Sequence, residues 1–240
     1  MEAIRKVLHK LSGRGKATGT PIRISDATTE EKRIIEILGR VKVVTLAEAA
    51  DVWKQEVPEA PAIPFSEAGL RQCAEENNDG EDWRLVYILG LSLKAQRKIQ
   101  GVSSRDVVSG LRFAQGGYWR NPKDDYWTTQ PKESGYRLLN MKPLKAPHGG
   151  WTWAEQQEII DDLGPQYERA DETIVSETVF SLGKSKDSVF CLNHWGKTVN
   201  SLDRHVVLEF NIFHGMSIWG MAKSDERYRF GAVVERRADL

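Results

Sequence analysis

The sequence predicts an α+β protein, with an all-α N-terminal domain followed by a small antiparallel-sheet α+β domain. Three observations carry that prediction. Residues 26–114 space their apolar side chains at helical intervals behind side-chain caps. The last third of the chain alternates apolar and polar residues in the manner of strands. Gly116-Gly117 separates the two patterns. The expected divisions are a basic amphipathic arm and flexible linker at 1–24, a helical domain at 25–115, and an aromatic-rich α+β domain at 116–240.

In the arm, Ile4, Val7, Leu8 and Leu11 recur at helical spacing with basic residues on the remaining face, and Gly13, Gly15 and Gly19 follow as a loose tether. Thr28-x-x-Glu31 and Thr45-x-x-Glu48 are capping boxes, in which the hydroxyl accepts from a free backbone N–H and the Glu reaches back. They open helices that carry Ile34, Ile35 and Leu38, then Leu46, Ala49, Ala50 and Trp53. Pro58, Pro61 and Pro64 make the next stretch an extended connector. A helix is expected from Ser66 and another from Asp82, with Trp83, Val86, Tyr87 and Leu91 inward and Gly101 as its stop; Ser104 caps a last one.

Beyond Gly117, Tyr118, Trp119, Tyr126, Trp127 and Tyr136 crowd among turn formers, and a strand is expected at about 135–142. Thr152-x-x-Glu155 caps a helix that stops at Gly164. The next helix runs from about Gln166 to Leu182. Val206, Leu208, Phe210 and Ile212 share one strand face, and Tyr228, Phe230, Ala232 and Val234 share another. Strands near 187–193 and 215–221 complete the sheet.

Composition narrows the function classes. The 34 Lys and Arg are balanced by 34 Asp and Glu, which argues against coating nucleic acid through bulk positive potential. With 40% apolar and 28% charged residues the chain is of the folding kind. Charge is uneven locally, however. Residues 1–24 hold six Lys and Arg against Glu2, and residues 151–177 hold eight acids against Arg169 alone. The two segments could attract each other or separate partners. Cys73 and Cys191 read as two buried thiols, with one long-range disulfide as the alternative. The longest apolar stretch, Leu85 to Leu93, is about half of a membrane span. A cytoplasmic setting is expected, with no transmembrane segment.

The search for chemistry yields few constellations. His194, His205 and His214 lie near Cys191 and Asp203 without the spacing of a metal motif, so no metal and no cofactor is assigned. No GxSxG elbow and no phosphate-binding P-loop is present. Arg112, Arg120, Lys123, Lys132 and Arg137 are interleaved with aromatics and could stack single-stranded bases, although such aromatics equally make an inter-domain core.

A further observation bears on the C-terminal half. Gly135-Tyr136-Arg137 in the opening strand, two successive helices, His194-Trp195-Gly196 before the hairpins, and Tyr228 to Val234 in the closing strand form an ordered set. That order resembles the C-type-lectin-like fold, in particular the variable proteins of diversity-generating retroelements and their formylglycine-enzyme-like relatives. The resemblance covers about half of the chain, without the disulfides of animal lectins or a calcium tripeptide. It implies a stable sheet that presents a changeable surface to a ligand, a protein above all.

The expected function is therefore a non-catalytic ligand- or protein-binding module that presents a C-terminal hairpin surface. Its binding residues are His194, Trp195, His205, His214 and Trp219, with no catalytic residue. Trp195 and Trp219 are expected to be outward anchors because each precedes a glycine, Gly196 and Gly220. The alternative is an enzyme with a Cys/His site around Cys191, His194 and His214. A further alternative is a nucleic-acid-associated or assembly protein that uses the basic arm.

Overall fold

Side-chain caps start four helices where the sequence marks them, at Thr28, Thr45, Ser66 and Thr152. The computed structural model describes residues 26–102, 111–114, 122–144, 151–186, 192–211, 215–221 and 231–239. Helix α1 (Thr29–Leu38) and helix α2 (Leu46–Trp53) open on complete capping boxes at Thr28/Glu31 and Thr45/Glu48. Helix α3 (Glu67–Asn78) is capped by Ser66, and α4 (Leu93–Gln100) by Ser92, with Gly101 closing α4. After a short α5 (Asp125–Thr128), the Thr152/Glu155 box opens α6 (Trp153–Leu163) and Asp171 caps α7 (Glu172–Ser185). The basic arm, Ser104, Gly116-Gly117, Cys191, Ile212, His214, Tyr228 and Phe230 lie outside the described residues.

Two sheets organise these helices. Strands β1 (Val43–Val44), β2 (Trp83–Ile88), β3 (Gly135–Leu144), β4 (Tyr167–Arg169) and β8 (Ala232–Arg236) form one sheet in the order β1-β2-β3-β8-β4. Its β1–β2 pair is parallel and the others are antiparallel. Strands β5 (Leu192–Val199), β6 (His205–Asn211) and β7 (Gly215–Met221) form an antiparallel meander. The protein is thus α+β, as the sequence predicts.

Helix α7 is the centre of the molecule. It is buried from Glu172 through Gly183 and touches β1 and β2 of one sheet, β5 and β6 of the other, and helices α2 and α4. Phe180 gathers the core around it. Its ring meets Trp53 edge-on at 5.7 Å, Phe113 at 4.8 Å and Phe210 at 6.4 Å. Trp53 also donates its indole N–H to Ser181 Oγ at 2.9 Å. A second tie is Glu31, whose buried carboxylate accepts from the Leu46 N–H at 2.8 Å and from the Tyr136 hydroxyl at 2.7 Å. That hydrogen bond joins α1 to β3.

Several expectations are corrected here. The segment 25–115 is not all-α, because β1 and β2 lie within it. The helix expected from Asp82 is instead strand β2, then the Ser92-capped α4. Trp83, Leu85, Val86, Tyr87 and Ile88 are all buried, so both faces of β2 are covered and no alternation remains to identify a strand. The helix expected from Gln166 begins later, at Glu172, because Tyr167–Arg169 pairs with β8. The C-terminal strands expected to complete one sheet are divided between two, and the closing strand lies between β3 and β4. The sheet and one hydrophobic core therefore run across the division placed at residue 116, with β1 and β2 before it and β3, β4 and β8 after it.

Candidate functional site

The outer face of the β5–β6–β7 meander carries Trp195, His205 and Trp219 of the residues that the sequence singles out. Antiparallel register places Trp195, Val207 and Trp219 in one row across the three strands. The opposite face, with Val206, Leu208 and Phe210, belongs to the core beneath α7. The row itself is unequal. Trp195 is 0% exposed, whereas Trp219 is 45% exposed.

Trp153 causes the difference. The Thr152 capping box fixes the first turn of α6, and Trp153 there packs against Trp195 and Val207. Its indole N–H donates to the Gly196 carbonyl at 3.0 Å. Its ring stacks on His205 at 4.3 Å, and the Arg169 guanidinium lies 4.5 Å from its centroid. Arg169 is buried and donates to the carbonyls of Trp195 and Trp153 and to the side-chain oxygens of Gln156 and Gln157. Burial pushes its pKa down to about 9, with Asp161 acting in the opposite sense. The guanidinium is solvated by neutral oxygens, which is how a buried cation avoids the full cost of leaving water.

Trp195 is therefore not an outward anchor, which corrects the sequence expectation. The glycine beside it serves another purpose. A Cβ on Gly196 would lie 2.2 Å from Glu172 Oε2, so Gly196 lets the first turn of α7 approach β5. Glu172 accepts there from the Lys197 and Thr198 N–H groups at 3.1 and 3.4 Å.

His194 points into the protein. Its Nδ1 accepts from the Val233 N–H at 3.0 Å, which leaves Nε2 to donate to the Ala170 carbonyl at 3.2 Å. Both ring nitrogens are thus committed to joining β5 to β8 and to the entrance of α7. Burial, and secondarily Arg169, pushes its pKa down to about 3. His205 is also buried, beneath Trp153. Of the expected set, Trp219 alone is shown to reach solvent among the described residues. Its N–H donates to Glu209 Oε2 at 3.2 Å, which fixes the indole on the sheet.

A pH dependence follows from His194. Its folded pKa lies below the ordinary 6.5, so between about pH 6.5 and 3 the unfolded chain binds a proton that the folded chain does not. Stability from this group is present above 6.5 and is lost as pH falls through that window. In His194→Gln, whose amide can donate and accept but does not titrate, urea unfolding should lose less stability between pH 7 and 5 than in the wild type. Equal losses would show that the imidazole is not held neutral. Glu177 acts in the opposite sense. Burial raises its carboxyl to about 8, despite N–H groups from Leu89 and Leu91, so its contribution is lost as pH rises from 4.5 through 8.

Sequence reasoning missed Trp153 and Arg169 as site residues. Arg169 was visible as the single cation of an acidic stretch, and Trp153 as part of a capped helix start. Cys73 is a free, buried thiol whose pKa burial pushes up to about 11, so it is protonated at neutral pH. Among the described residues no group of three or more His, Cys, Asp or Glu side chains is gathered to hold a metal, and no helix is long and apolar enough to cross a membrane. Compared with protein-family models, curated proteins and solved structures, the chain matches none.

Proposed function

We propose that the protein is a non-catalytic binding module that presents the β5–β6–β7 surface around Trp219 to a protein ligand. The observation that carries this reading is the row Trp195–Val207–Trp219, in which two members are sealed by Trp153 and the third is left in solvent with its indole held by Glu209. An aromatic side chain already fixed in place loses little freedom on binding and buries much area, the combination from which interface hot spots are made. The rigid support beneath it is the α7 core.

The same reading takes the stretch from β3 to β8 as C-type-lectin-like. Its support is the element order of strand, two principal helices, a three-stranded meander and a closing strand that lies antiparallel on the opening one. The enzyme alternative loses weight because both nitrogens of His194 are engaged by backbone groups. A cytoplasmic setting accords with the free thiol of Cys73.

Selection of binders from a random peptide display library tests the surface. Selected peptides should bind Trp219→Ala about 30-fold or more weakly, as the loss of a hot spot of about 2 kcal/mol requires. They should bind Val41→Ala, altered at an exposed residue elsewhere, as well as the wild type. Peptides indifferent to Trp219 would remove this surface from consideration.

A further inference from the structure

Away from the meander, α4 divides sharply into two faces. Leu93, Gln96 and Gln100 are buried, while Lys94, Arg97 and Lys98 fall at positions i, i+3 and i+4 on the other side. These three cations, with Gly101 and Val102, line a cavity of about 410 Å³. Its size is that of a small-molecule site, and three of the five residues that line it are basic, their aliphatic stems making much of the wall.

The surroundings add positive charge. Gln100 at the end of α4 donates to the Val52 carbonyl of α2 at 3.1 Å and accepts from the Lys184 ammonium of α7. The last turns of α2, α4 and α7 thus converge on Gln100, one residue before the cavity's Gly101. Burial lowers the Lys184 pKa, and the charges of Lys54 and Arg112 lower it further. Cations so placed repel one another. Arg97 and Lys98 stand in the last turn of α4, where they offset the negative end of its dipole, a small effect that leaves most of their charge to a ligand. Lys94 pairs with Asp125, and both are substantially exposed, so the pair is a weak surface contact that a more highly charged anion can displace.

We propose that this cavity binds the phosphate groups of a small polyphosphorylated molecule. An Arg fork flanked by two ammonium groups matches tetrahedral, multiply charged oxyanions better than a single carboxylate. Among the described residues of the lining, Val102 is the one apolar side chain and the three charged groups are all cationic, which favours phosphate as the group recognised. This inference is independent of the Trp219 surface.

Titration calorimetry with pyrophosphate at about 0.15 M ionic strength, on the full chain, tests it. Saturable binding of one pyrophosphate is expected, with sulfate at matched ionic strength far weaker. Lys98→Gln, which alters an exposed side chain, should weaken binding about tenfold, the loss of one charge-assisted contact, and Arg97→Gln/Lys98→Gln should abolish it. Arg71→Gln, on the exposed side of α3, should bind as the wild type does. The absence of saturable binding, equal affinity for sulfate, or undiminished affinity in Lys98→Gln would overturn the proposal. Tight binding of a short single-stranded oligonucleotide that pyrophosphate cannot displace would overturn it in favour of a nucleic-acid surface. Should the double variant not fold, Lys98→Gln carries the decision.

Discussion

Residues 118–240 expressed alone should not give a protein that unfolds cooperatively. The truncation removes β2, the register partner of β3 from Gly135 to Asn140, and leaves that strand as an open edge. It also strips Trp53 and Phe113 from Phe180, and α2 and α4 from α7. Leu85, Val86, Ile88 and Leu93 are fully buried and disappear with it. At roughly 1.5–3 kcal/mol for each large apolar side chain, those losses together with Trp53 match or exceed the roughly 5–15 kcal/mol that holds an ordinary domain folded. Differential scanning calorimetry of the fragment, beside the full chain, measures this directly. A soluble fragment with a sharp transition would mean that the shared sheet and core are dispensable, and would restore a boundary near residue 116.

Trp195→Ala should destabilise the full chain by about 3–5 kcal/mol, as large-to-small changes at buried aromatic positions do. Trp219→Ala should cost under about 1 kcal/mol. The contrast rests on Trp153, which seals one indole and leaves the other in solvent. Trp195→Phe should fall between the two, because the Trp195 N–H has no hydrogen-bond partner among the described residues and its removal sacrifices packing alone. Urea titration followed by far-UV circular dichroism gives all three values. Similar costs at 195 and 219 would show that the two tryptophans share one environment and that Trp153 does not act as a cover.

The helix starts were legible because a cap is a local device. Thr28, Thr45 and Thr152 each meet a Glu three residues on, and the reciprocal capping bonds between the two span only those residues. The alternation of β6 was legible too, since one of its faces packs on the core and Glu209 on the other is only half-buried. Strand β2 was not. Layers on both faces bury nearly every side chain in it, and a continuous apolar run carries no period.

The candidate site shows the same division. Trp195-Gly196 and Trp219-Gly220 are alike as local sequence, and nothing within a few residues distinguishes an indole in the core from one in water. Arg169 stood out by charge, but its partners on α6 and β5 are defined by the fold. What the sequence determined by itself was where the helices capped at Thr28, Thr45, Ser66 and Thr152 begin, which face of β6 is apolar, and that the chain combines helices with antiparallel sheet. These properties depend on neighbours within a turn of helix or a pleat of strand. Tertiary structure alone decided that β2 enters the same sheet as β8, that Trp53 reaches Ser181, and that Trp153 covers Trp195 but not Trp219. Those contacts join residues far apart along the chain, and the exclusion of water from their surfaces exists only once both partners are in place.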